Sequence, residues 1–507
     1  MDGTILELTS RGKKDAYFIQ DPQRSFFGKE YNRRSVSCKE IRLQFPNSPA
    51  VFGDTVDIEI PHYGDIISRV DITIDLPTWF PTEELVKINK EANFSVYSSW
   101  NPPALPNGIT APAGTPLETV DLSNPAATAA PALVGYGYVS GVADMIFSKW
   151  ELYADNYKIC DGYPSEFSSW YPYSQSTFNK IPVGYQRSAY TNETAYEVTG
   201  NATPSTLVCS IPIPGCQRAD DVGFPICAVH NQKLLLRFYL QPLQKLVQST
   251  PYYDSSGFPI LVNGQPIYDP CPAPWGRRPL WIYDISNNTS TFAGFSIPLQ
   301  LIDFPYIAAR FTVLHVDDEA RRDLQSRHLE LFYQKQYVEP LIFDTRNWFI
   351  GAQISRTFEI KGFFESLVLQ FVAESRIKEN RYSDQLPPQV YSRTPKEWFT
   401  EASLILNNRE RIQPWEPRTL RILSNNLQFP CDVVDTQYYF VFGRHYDHEP
   451  GGNLLLTRSH KVRLNFTVAV APNDPAVASG QVNLIMLGIA WNVLDISDSL
   501  AKVRYPD

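Results

Sequence analysis

"IISRVDITIDLP", from Ile66 to Pro77, decides the architecture of this chain. Val70, Ile72, Ile74 and Leu76 alternate with Asp71, Thr73 and Asp75. A period of two over seven residues marks a strand with one buried face and one wet face. "VDIEI", from Val56, has the same rhythm just upstream. Downstream, "DMIFSKWELYADN" places Met145, Phe147 and Lys149 opposite Ile146, Ser148 and Trp150. Further strand-length runs follow in "STLVCSIPIP", "QKLLLRFYLQ", "FSIPLQLI" and "IAARFTVLHV".

The period changes once, in "VDDEARRDLQSRHLELF", where Ala320, Leu324 and Leu331 fall at helical spacing. Asp317, Asp318 and Glu319 stand in the first turn and Arg321, Arg322 and Arg327 follow, the order that a helix dipole favours. Strand-length runs then resume: "ISRTFEIKGFF", "SLVLQFVAE", "ASLILNN", "QYYFVFG", "KVRLNFTVAV" and "VNLIMLGIAWNVLDI". About eight strands on either side of one helix predict an all-β chain of two consecutive eight-stranded jelly-roll sandwiches, with long loops and a short connecting helix. The expected divisions are an N-terminal arm over 1–24, a first jelly roll over 25–326 with a long loop insertion at 78–134, and a second jelly roll over 327–507.

Composition points the same way. Pro makes up 41 of 507 residues, about 8% where roughly 5% is usual. The 28 Tyr and 29 Phe accompany only 3 Met. Proline breaks helix interiors and aromatic rings pack well on pleated sheets, so a helix bundle is disfavoured. A hydrophobic fraction of 43% excludes disorder and a collagen-like fibre. The net charge of -9 argues against direct nucleic-acid binding, which needs a basic surface. The pairs Lys13-Lys14, Arg33-Arg34, Arg277-Arg278 and Arg321-Arg322 read as solvated surface.

Charged residues from Asp2 to Lys14 precede any apolar run of signal-peptide length, so synthesis and use in the cytosol are expected. No run reaches the roughly 18 apolar residues of a membrane-spanning helix. The seven cysteines, Cys38, Cys160, Cys209, Cys216, Cys227, Cys271 and Cys431, contain no C-x-x-C pair and read as free thiols. Sequons at Asn93, Asn192, Asn201, Asn287, Asn288 and Asn465 are short enough to recur by chance.

No phosphate-binding loop, nucleophile elbow or zinc-protease motif occurs. Gly135, Gly137 and Gly141 in "GYGYVSG" have the wrong spacing for a dinucleotide loop and read as turn glycines. His445, Asp447, His448 and Glu449 of "RHYDHEP", with His460 nearby, are the most metal-like cluster. The Pro450-Gly451-Gly452 turn that follows favours a solvated hairpin tip. No catalytic, cofactor-binding or metal-ligating residue is therefore expected, no cofactor is implied, and the chain reads as a structural protein rather than an enzyme.

The ordered series of segments resembles the double jelly-roll major capsid proteins of nucleocytoplasmic large DNA viruses and their smaller relatives. "PHYGDIISRVDITIDLP", with Gly64 and Asp65, looks like that family's Gly-Asp strand. "IFSKWELYADNYKICDGYPSEF", with Glu151, Leu152 and Ile159, is similar to the strand pair that follows. "IPIPGCQRADDVGFPICAVHNQKLLLRF" resembles the Pro-bearing strand and the long strand after it. The most specific match is "HVDDEARRDLQSRHLELFYQKQ", where Asp317, Glu319, Arg321, Arg322 and Leu324 coincide with the acidic, double-arginine helix that ends the first jelly roll. "ASLILNNRERI" resembles the strand ending in Asn-Gly and an Asp-Arg pair, with Asn408 and Glu410 each departing by one residue type, and "FVFGRHYDHEPGGNLLLTRSH" and "IAWNVLDISDSLAKVRY" resemble later pieces through His448, Pro450, Gly452, Arg458 and Asn492. The sequence departs from many relatives near Gly215 to Arg218 and in the 78–134 loop.

The resemblance implies homotrimers whose six jelly rolls form a pseudo-hexagonal capsomer, tiling an icosahedral shell. Its implied partners are the chain itself, minor capsid proteins and an inner viral membrane. The implied location is the virion shell, after synthesis and assembly in host cytoplasm. The Pro/Ala/Thr segment from Asn101 to Val134 is then the candidate outer tower. The alternatives are a minor capsid or assembly-scaffold protein of the same fold, a carbohydrate-binding or hydrolysing β-sandwich protein using Trp79 or Trp100, and a metal-dependent jelly-roll enzyme.

Overall fold

The computed structural model describes residues 37–76, 136–139, 142–163, 206–217, 223–249, 261–262, 265–266, 282–284, 289–291, 305–358, 362–381, 397–406, 409–421, 437–442, 454–456, 462–470 and 480–505. The expected N-terminal arm, the 78–134 insertion and the "FSIPLQLI" strand lie outside these residues.

In the first half, eight strands form two four-stranded antiparallel sheets. They are β1 (Ser37–Gln44), β2 (Thr55–Glu59), β3 (Ile66–Asp75), β4 (Phe147–Ala154), β5 (Tyr157–Gly162), β6 (Leu207–Ser210), β7 (Leu234–Leu240) and β8 (Tyr306–Val316). One sheet runs β1-β8-β3-β6 and the other β2-β7-β4-β5. The second half repeats the plan with β9 (Leu329–Asp344), β10 (Gln353–Phe358), β11 (Gly362–Ala373), β12 (Phe399–Leu406), β13 (Arg409–Trp415), β14 (Gln437–Val441), β15 (Val462–Val468) and β16 (Gln481–Ser497). Its sheets run β9-β16-β11-β14 and β10-β15-β12-β13, and β17 (Leu500–Val503) adds to β16. In each half the first, eighth, third and sixth strands share one sheet and the second, seventh, fourth and fifth share the other. That is the jelly-roll order, twice.

The alternation read at β3 is real. Val70, Ile72, Ile74 and Leu76 are buried in the first core with Val56, Ile58, Phe147, Trp150, Phe238 and Phe311. Each such side chain contributes on the order of 1.5–3 kcal/mol. The second core gathers Phe343, Phe371, Trp398, Phe399, Tyr438 and Phe466. Most of its rings meet tilted or edge-on, as at Phe343 and Phe466, whose planes stand at 89°, while Phe371 and Trp398 stack at 20°.

Every pairing within these sheets is antiparallel, so the connections gather alternately at the two ends of a sandwich. The three long connections of the first half, 76–146, 163–206 and 241–305, therefore all leave from one end.

Helices occur where the strands are joined. α1 (Val142–Met145) is a single turn, so the strand expected to begin near Met145 starts at Phe147 instead. Val142, Ala143, Ile146 and Phe147 are all buried, and an unbroken apolar run imposes no period of two. α2 (Asp318–Ser326) begins as expected, with the Asp317 carboxylate accepting from the Ala320 amide at 2.8 Å. It stops earlier than the spacing predicted: Leu331 belongs to β9, paired with Leu494 of β16. Gly137, expected in a turn, pairs with Gln248 in a short two-stranded ladder, while Gly135 and Gly141 lie outside the described residues.

Candidate functional site

Two pieces of sequence that stood apart in the resemblance meet at one point. Gly64 and Asp65 close the tight connection between β2 and β3. Gly64 has φ +80°, and a Cβ there would lie 1.9 Å from Val313 Cγ1, so only glycine fits. That approach sets the Asp65 amide against the Leu314 carbonyl at 3.0 Å and its carbonyl against the Cys227 amide at 3.1 Å. The Asp65 side chain, 3% exposed, accepts from Arg321 Nε at 2.6 Å, Arg321 Nη2 at 3.2 Å and the Val316 amide at 2.8 Å. Burial pushes its pKa up, but the Arg321 guanidinium and the Val316 amide outweigh it and hold the carboxyl below its ordinary range. This clasp fixes the end of β8 and the start of α2, where the chain leaves the first sandwich.

From there the chain crosses to the second sandwich along a polar junction that no sequence pattern announced. Gln217 donates to the Gln334 carbonyl at 2.8 Å and accepts from the Gln334 amide at 2.6 Å. Gln336 accepts from the Tyr163 amide at 2.9 Å, and Gln232 from the Ala501 amide at 2.7 Å. The Tyr333 hydroxyl donates to the Ile159 carbonyl at 3.1 Å. Tyr333, Leu494, Ile496 and Ala501 are buried in the first core although they belong to second-half strands. Each glutamine binds main chain from the other half, which fixes register as well as distance.

The outer face of β4, β5 and β7 carries a second network. Lys149 Nζ lies 2.7 Å from Glu151 and 3.5 Å from Asp161, and Lys158 lies 3.0 Å from Asp161. The Tyr153 and Tyr239 hydroxyls donate to Glu151 at 2.8 and 2.7 Å. Asp57 accepts both arms of Arg237 at 2.8 Å. Burial works against the Glu151 charge, yet Lys149 and the two hydroxyls lower its pKa to about 2. Such a carboxylate is ionised at neutral pH, the opposite of the raised pKa that suits the proton donor of a glycoside hydrolase.

The "RHYDHEP" cluster, His460, Trp79 and Trp100 all lie outside the described residues. Among the described residues, His328, Glu330 and Asp495 bring ligand atoms within 4.8 Å of one another. Arg504 already binds that pair of acids, at 2.5 Å from each, so the geometry is that of a surface ion-pair network. The sequon residue Asn465 sits mid-strand between Ser355 and Ser403, half-buried. Among the described residues no helix is long and apolar enough to cross a membrane.

No protein-family model matches the chain. Over 78 residues it is 35% identical to Probable capsid protein 4 of Acanthamoeba polyphaga mimivirus, covering 15% of each chain. Over 94 residues it is 30% identical to the Major capsid protein of Paramecium bursaria Chlorella virus 1, covering 17% of this chain and 22% of that one. The matched stretches thus span less than a quarter of either relative. Among solved structures, the PBCV-1 virus capsid quasi-atomic model matches with a TM-score of 0.61 at 13% identity, covering 95% of this chain and 100% of that one. The Faustovirus major capsid protein matches with a TM-score of 0.54 at 10% identity, covering 96% and 95%. In fold over nearly its whole length this chain resembles the double jelly-roll major capsid proteins of large DNA viruses, and in sequence, over matches of 78 and 94 residues, it resembles capsid proteins of two such viruses.

Proposed function

We propose that the chain is a viral major capsid protein, three copies of which form a pseudo-hexagonal capsomer that tiles an icosahedral shell. One observation carries this reading: the same eight-stranded order occurs twice in one chain. Two like sandwiches per chain give a trimer six near-equivalent flanks, so a three-fold object can pack on a hexagonal lattice. The division falls at 25–326 and 327–507, and the arm over 1–24 precedes the first sandwich. The gathering of the long connections at one end supports an outward tower that includes Asn101 to Val134. The role is structural and non-enzymatic, with the chain itself as chief partner, minor capsid proteins and an inner membrane as further ones, and no direct nucleic acid. Its place is the virion shell, reached after synthesis in host cytoplasm.

Light scattering on the purified protein tests this directly. A trimer with a hexagonal outline in negative stain is expected. A monomer at every concentration overturns the major-capsomer reading in favour of a minor capsid or scaffold role.

A further inference from the structure

The two cores are not equally self-sufficient. Among the described residues the second is drawn from second-half side chains alone. The first also takes Tyr333 from β9, Leu494 and Ile496 from β16 and Ala501 from β17, with Leu329, Leu331 and Val503 packed against it. Side chains made after α2 thus finish a core whose own strands end at Val316.

The ladder between β9 and β16 explains how. It runs without a break in register from Leu329 opposite Ile496 to Asp344 opposite Gln481. At one end Phe343, Val482 and Leu484 lie in the second core, and at the other Tyr333, Leu494 and Ile496 lie in the first. β17 then turns back on the first-core end, with Leu500 opposite Ser497 and Val503 opposite Leu494. The same stretch supplies partners for polar groups of the first half. Gln232 takes the Ala501 amide at 2.7 Å, and the Ile159 carbonyl takes the Tyr333 hydroxyl at 3.1 Å. Gln217, itself buried, bonds both main-chain groups of Gln334. Undocking this end of the ribbon strips those groups of their partners and opens the apolar wall of the first core to water.

Each of these contacts joins residues far apart in sequence, so each waits on the closure of a long loop. The second core makes no such demand on the first. We propose that residues 494–503 are a strap that closes the first core last: the second sandwich forms from its own residues and carries the end of the ribbon into place against the first. The order of folding is then the reverse of the order of synthesis. A chain arrested before Leu494 has its first-half strands but no finished first sandwich, and whatever that sandwich binds is reached only by chains that have passed the strap. This inference stands whether or not three copies form a capsomer.

What closes last opens first, so hydrogen exchange on the full chain, read by mass spectrometry at urea concentrations below the unfolding midpoint, tests the order. β2 and β7 are expected to exchange together, at least tenfold faster than β10 and β15. A501D, which sets a charge at the buried position of the strap, raises exchange in β2 and β7 at least a further tenfold and in β10 and β15 less than twofold. K502S, at an exposed position of the same strand, changes neither. Opening of β10 and β15 first in the parent, or of all four strands together, overturns the proposal. So does an A501D effect that falls on both sandwiches equally or on neither. Should A501D fail to fold, A501G replaces it: a rise of at least threefold in β2 and β7 is expected, and no rise overturns the strap. The order in the parent needs no variant.

Discussion

Asp65 and Arg321 lie 256 residues apart in sequence, yet the Asp65 carboxylate takes two hydrogen bonds from the Arg321 guanidinium at 2.6 and 3.2 Å. The pair ties the turn that opens β3 to the helix through which the chain leaves the first sandwich. The carboxylate is buried and the arginine half-exposed, so the two partners are not equivalent. Removing the arginine strands a buried charge, whereas removing the acid frees a cation that water can solvate. R321M is therefore expected to melt below D65N, and the double variant D65N/R321M above R321M alone. Thermal denaturation of the three decides it. A double variant less stable than R321M shows that Asp65 is well solvated without its partner.

The two ends of α2 show which signals a sequence carries. Its start was legible because the cap is local: Asp317 binds an amide three residues on. Its end was not, because Leu331 fits the helical spacing and loses to the pairing with Leu494, which lies far along the chain. At β3 the alternating aliphatics gave the strand and its buried face. They did not show that Asp71, on the opposite face, is also buried, where it accepts from Arg69 at 2.8 Å and from Ser210. The junction between the halves was silent for the same reason. Gln217, Gln232 and Gln336 carry no charge and no period, and their partners are main-chain groups distant in sequence.

The Glu151 network sets an acid limit. The folded pKa, about 2, lies below the ordinary 4.5 of a glutamate. Its contribution to stability is therefore complete above about pH 4.5 and is lost as the pH falls toward 2. Denaturation midpoints measured from pH 6 down to pH 2 should drop across that window for the parent. E151Q should begin less stable and drop less. Parallel curves for the two proteins remove Glu151 from the acid transition.

Thiol chemistry should divide the cysteines sharply. Cys38 is exposed, while Cys160, Cys209, Cys216 and Cys227 are buried thiols outside any disulfide. Burial raises the Cys160 thiol well above its ordinary range and pushes Cys227 up to about 11, so both remain protonated and unreactive near neutral pH. In a chain carrying C271S and C431S, Ellman's reagent should titrate one thiol promptly and the other four only after denaturation. Prompt reaction of a second thiol contradicts the packing around whichever of the four is labelled.

The last strand holds the two halves together. β17 pairs with the end of β16, but its Ala501 is buried in the first core and Val503 packs against it. The Ala501 amide binds Gln232 at 2.7 Å, and Ser499 lies 3.1 Å from His230. Arg504 then locks Glu330 to Asp495. Ending the chain at Asp498 removes all of these while leaving β10, β12, β13 and β15 without a lost neighbour. Hydrogen exchange should therefore rise in the 226–232 turn and in the Leu329 to Tyr333 stretch of β9, and stay unchanged in Val462–Val468. If protection falls equally in β15, the two sandwiches unfold as one unit and β17 is no local latch. If neither region changes, the polar junction at Gln217 and Gln336 holds the halves without it.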